Sequence, residues 1–117
     1  MTTTPGAATM SEAKTYNGWT NYETWAVNLW IDNEQSTQEY WLERAEYWHK
    51  AASTSEYWTP AESAKFNLAD ELKESVEAEQ PEAVNGTMYA DLLMAALSEV
   101  NWQEIAQNLL SEFEGAV

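Results

Sequence analysis

From Tyr16 onward, apolar residues recur every three or four positions, the spacing of helices that bury one face. The first stripe runs through Tyr22, Trp25 and Leu29 with Trp30 at its edge, and the second through Trp41, Ala45, Trp48 and Ala52. The third is Ala64, Leu68, Leu72 and Val76, followed by Leu92, Leu93, Ala96, Leu97 and Val100. The last is Trp102, Ile105, Ala106, Leu109 and Phe113. Four of the stripes follow a capping signal, a side-chain oxygen with an acid three residues later: Thr20-x-x-Glu23, Ser36-x-x-Glu39, Thr59-Pro60-x-Glu62 and Asn101-x-x-Glu104. Pro60 suits a first helical position, where its missing N–H costs nothing. Thr87, after the turn-prone Asn85-Gly86, starts the remaining one, with Asp91 near the positive end of its dipole.

These signals predict helices over 21–33, 37–53, 60–78, 88–99 and 102–114. No segment alternates with a period of two, so the fold class is all-α, a single compact domain of about five short helices. The opening 1–15, with Pro5, Gly6 and no apolar period, reads as a flexible leader to an acidic helical domain over 16–117.

Composition changes this picture chiefly through charge. Twenty Asp and Glu oppose five Lys and Arg, a formal net charge of -15 in 117 residues. Seven Trp, six Tyr and two Phe still supply enough apolar bulk to fold the chain, unlike a disordered acidic tail. A polyanion of this kind is repelled by phosphates and anionic lipids, which argues against direct nucleic-acid or membrane binding. The absence of cysteine excludes disulfides, thiolate metal sites and a Cys nucleophile. With no signal-like start and no apolar run long enough for a bilayer, the expected location is the cytoplasm.

Catalytic constellations are sparse. Glu46-x-x-His49 has the spacing used twice in di-iron bundles, but no second copy exists, and a solvated histidine on a helix face is the simpler reading. No nucleophile elbow, phosphate loop or dinucleotide fingerprint is present. We therefore expect no enzyme activity, no cofactor and no metal.

Binding chemistry is better represented. Glu39, Glu43 and Glu46 on the second predicted helix, with Glu62, Asp70, Glu71, Glu74 and Glu77 on the third, form the densest acidic stretch. Carboxylates at i and i+4, such as Asp70 and Glu74, are separated by roughly 6 Å along a helix, close to the phosphate repeat of a DNA strand. Solubility or salt adaptation is the competing explanation for such acidity, although 17 Glu against 3 Asp and a high Trp content weaken the latter. Trp19, Tyr40, Tyr47, Tyr57 and Trp58 exceed what one small core buries, and any that stay exposed are hot-spot candidates. They also leave room for a homodimer.

Tyr16-Asn17-Gly18-Trp19-Thr20-Asn21-Tyr22-Glu23-Thr24-Trp25, continuing through Asn28-Leu29-Trp30-Ile31-Asp32-Asn33, resembles a family of short uncharacterised proteins of phages, plasmids and prokaryotic genomes. Ala90-Asp91-Leu92-Leu93 and the run from Ala95 to Ala106 are similar to that family's second block. In size, acidity and helical content the chain also resembles anti-restriction proteins that mimic DNA. That likeness implies a mobile-element inhibitor whose acidic surface blocks a host DNA-binding protein or nuclease complex of restriction or CRISPR type. The alternative is an adaptor docking through aromatics near Trp19, Trp30 or Trp58, its acidity serving solubility.

Overall fold

The computed structural model describes residues 16–52 and 57–114, and the expected leader lies outside them. Five helices follow one another: α1 (Tyr22–Asn33), α2 (Gln35–Ala51), α3 (Pro60–Ala78), α4 (Met88–Leu97) and α5 (Trp102–Glu114), with a short 3-10 turn at Glu82–Val84. There is no strand among the described residues, and the fold is a single all-α domain. No helix among them is long and apolar enough to cross a membrane.

Helices α2, α3 and α5 each pack on the other two, giving a bundle of triangular section. Its axis is filled by Trp41 and Ala45 from α2, Ala64, Leu68, Ala69 and Leu72 from α3, and Ile105, Ala106, Leu109 and Leu110 from α5. Leu68, Leu72, Ile105 and Leu110 are fully enclosed. Helix α1 lies against α2 and more lightly against α5, whereas α4 packs chiefly on the 3-10 turn and sends Leu97 and, just beyond its end, Val100 into the core.

The third predicted helix matches at both ends because its cap is complete. The Thr59 hydroxyl accepts from the Glu62 N–H at 3.1 Å while the Glu62 carboxylate accepts from the Thr59 N–H at 2.9 Å. The second starts differently from expectation. Ser36 lies inside it, only Glu34 separates α1 from α2, and Glu34 accepts from the Thr37 hydroxyl without capping a backbone N–H. At the first start, Asn21 rather than Thr20 is the cap, accepting from the Thr24 N–H at 2.9 Å. Helix α4 ends at Leu97, two residues early, where the Ser98 N–H closes on the Met94 carbonyl at 3.0 Å.

The first stripe is the largest correction. Tyr22 and Trp30 face outward, and the buried positions of α1 are Thr24, Asn28 and Ile31. Two polar side chains are thus enclosed in place of the aromatic face that the periodicity suggested. The Asn28 amide donates to Asp32 at 3.2 Å, but its buried Oδ1 has no partner. A buried acceptor without a donor costs about 1–3 kcal/mol. Asn28→Leu, which keeps the heavy-atom branching with bulkier methyl ends, is therefore expected to raise stability by about 1 kcal/mol in urea titration; a loss of that size would show that the amide oxygen is satisfied in solution or that the site does not take the added bulk.

Candidate functional site

The Tyr16-to-Trp25 block, the most distinctive run in the sequence, turns out to be structural. Asn17 and Gly18 both adopt positive φ, 51° and 89°, and Tyr16 and Trp19 exchange backbone hydrogen bonds across them. This two-residue turn places Tyr16 against Tyr22 and Trp25, with ring centroids 5.0 and 4.9 Å away. Beyond the turn, Thr20, Asn21 and Thr24 bind the start of α5. The Asn101 N–H donates to the Thr24 hydroxyl at 2.8 Å, the Thr20 N–H to Glu104 at 3.0 Å and the Asn21 amide to the Glu99 carbonyl at 2.7 Å. Asn101 caps α5 through the Glu104 N–H as expected, but the Glu104 carboxylate reaches Thr20 across the fold. The network joins the two blocks through groups that each helix start would otherwise leave unpaired.

The acids predicted for partner binding differ in how far the fold engages them. Several are engaged internally. Glu71 accepts from Arg44 at 2.8 Å and from the Trp48 indole N–H at 2.8 Å, bridging α2 and α3. Glu46 pairs with Lys50, Glu77 with Lys73 and Glu39 with Gln35, while Glu62 caps α3. Among the described residues, Glu43, Asp70 and Glu74 have no ion-pair partner. These assignments leave Glu43, Asp70 and Glu74 as the fully available carboxylates of the predicted set.

The aromatic candidates also separate. Trp19 is half-buried against the core, and Trp58 stands edge-on to Phe66 at 4.7 Å. Trp30 is 72% exposed, the most open tryptophan of the described chain. With Tyr40 it borders a groove of 600 Å³ between α1, α2 and the end of α3, floored by Val27, Ile31 and Val76 and carrying Glu79 on its rim. Tyr40 is held edge-to-face on the buried Trp41 at 5.0 Å, so this wall of the groove is fixed by the core. The sequence places Trp30 among the apolar residues of its helix without revealing that it faces away from the core.

His49 is exposed and stacks on Phe113 at 6.1 Å, and Glu46 turns to Lys50. Among the described residues no three His, Asp or Glu side chains converge as a metal site. The long block-to-block network, the α1–α2 pairing and the outward tryptophan all fall within residues 12–113, which match the model of one protein family. The chain belongs to DUF7249, a family of unknown function. No curated protein and no solved structure matches it.

Proposed function

We propose that this protein is a non-catalytic binding module whose partner is a basic protein segment carrying an apolar anchor residue. The observation that carries this reading is the Trp30 groove. A large indole held open beside a preformed apolar trough is the type of feature that dominates interface energetics, and it costs the free protein exposed hydrophobic surface. Charge supplies the partner's chemistry. The groove rim carries Glu79, the flanking residues include Asp32, Glu34 and Glu39, and the net charge of -15 attracts cationic surfaces over the whole encounter distance.

The probe is a cationic peptide of alternating Arg and Ser with one central Phe, compared by calorimetry with a version bearing Ser at that position. The Phe peptide is expected to bind more tightly, and Trp30→Ala to weaken it at least tenfold, about 1.4 kcal/mol. Equal binding of both peptides, unchanged by Trp30→Ala, would reject the groove.

A second reading, inhibition of a host DNA-binding enzyme by DNA mimicry, is favoured by the unpaired Asp70 and Glu74 on one outward helix face. Their axial separation of roughly 6 Å matches a phosphate repeat. This version predicts that the protein displaces duplex DNA from a restriction endonuclease, that added salt weakens the displacement steeply, and that Asp70→Lys with Glu74→Lys abolishes it. Displacement that survives both substitutions would end this reading.

A further inference from the structure

We infer that, within the groove reading above, Glu79 and Trp30 seat an arginine side chain of the bound segment in preference to a lysine. The fold already holds one of its own arginines in such a setting. Arg44 Nε donates to both carboxylate oxygens of Glu71, at 3.1 and 2.8 Å, and the guanidinium lies 4.6 Å from the Tyr47 ring centroid and 6.0 Å from that of Trp48. A carboxylate fixes the fork while aromatic rings flank it, a combination that suits a planar guanidinium better than a compact, strongly hydrated ammonium.

The groove presents the same three kinds of side chain, Glu79, Tyr40 and Trp30, along one apolar trough, and none of the residues lining it is basic. Glu79 is disposed to take a cation from outside the chain. It is the C-cap of α3, at the negative end of the helix dipole, and the last turn of that helix contains no basic residue. Lys73 is drawn to Glu77 at 3.6 Å, and among the described residues Glu79 has no ion-pair partner. Helix α1 delivers Trp30 and Ile31 to the groove from its own last turn, which also lacks a basic residue. Two negative helix ends therefore add to the field of the carboxylate beside an apolar floor, where water screens charge less than at an open surface. The exposed Trp30 offers an indole, the strongest cation–π partner among aromatic side chains. A lysine would gain the attraction without the fork or the stacking.

Replacing every arginine of the Phe-bearing Arg/Ser peptide by lysine keeps its charge, its length and its anchor. Calorimetry on the intact chain should show the arginine peptide binding about fivefold more tightly. Glu79→Gln, and separately Trp30→Leu, which keeps an apolar wall without a π face, should each narrow that ratio to less than about twofold. Glu43 does not line the groove. Glu43→Gln removes the same charge and should weaken both peptides alike, leaving the ratio unchanged, because long-range attraction does not distinguish arginine from lysine. A ratio near one in the parent chain overturns the proposal, as does a preference that either groove substitution leaves intact. Binding that does not depend on the Phe anchor would reject the groove and the arginine seat with it, a failure separate from an unchanged arginine-to-lysine ratio.

Discussion

Thr24→Val is expected to destabilise the fold by about 2–4 kcal/mol, although it preserves side-chain shape and adds no bulk. Thr24 is fully buried; its hydroxyl accepts from the Asn101 N–H at 2.8 Å and donates to Asn21 Oδ1 at 2.6 Å. Valine leaves the Asn101 N–H without an acceptor in a site from which water is largely excluded, costing about 1–3 kcal/mol, and removes the net gain of the second bond, about 1 kcal/mol. Thr24→Ser separates this effect from packing. It keeps both bonds, loses one methyl group and should cost only about 0.8 kcal/mol. Urea titrations of the three proteins provide the comparison, and a valine variant within about 0.5 kcal/mol of the parent would show that the network is not holding α1 to α5.

The same residues mark where sequence reasoning reaches its limit. Periodicity locates α3 and α5 well because their signals are local: Thr59, Pro60 and Glu62 act within one turn, and Asn101 caps the helix that starts beside it. The orientation of α1 depends instead on partners 77 to 84 residues away. Thr24 is enclosed because Asn101 needs its hydroxyl, and this turns Trp30 outward although its side chain is the more hydrophobic. A hydrophobic stripe cannot encode that exchange. Glu71 presents the same difficulty, since Arg44 and Trp48 come from another helix and their pairing converts a nominal surface acid into a bridge. The acidic character of the candidate surface was therefore legible, but which carboxylates remain available was not. The exposed side of α4 was hidden for a different reason: Leu92 and Leu93 fit the same helical period, and only the packed structure shows which of them the core receives.

Leucine-to-alanine changes at Leu68 and Leu92 turn that last distinction into a paired measurement. Leu68 has no exposed surface and lies where α3 meets the core, whereas Leu92 is open to solvent. Leu68→Ala removes the same atoms as Leu92→Ala but also leaves a cavity that helices fixed on both sides close incompletely, so its expected cost is about 2–5 kcal/mol. Leu92→Ala should change stability by no more than about 0.5 kcal/mol. For a domain whose total stability is typically about 5–15 kcal/mol, the first change brings the protein close to unfolding. Net charge adds a further expectation. Self-repulsion among the unpaired acids acts against the compact state, so moderate salt should recover part of the stability lost in Leu68→Ala without refilling the cavity. Midpoints that shift equally for the two substitutions would mean that α4 is as deeply packed as α3. A large loss at Leu68 with little change at Leu92 would instead establish that the outer face of α4 is dispensable for the fold, because the core receives Leu93 and Leu97 from the opposite side of that helix.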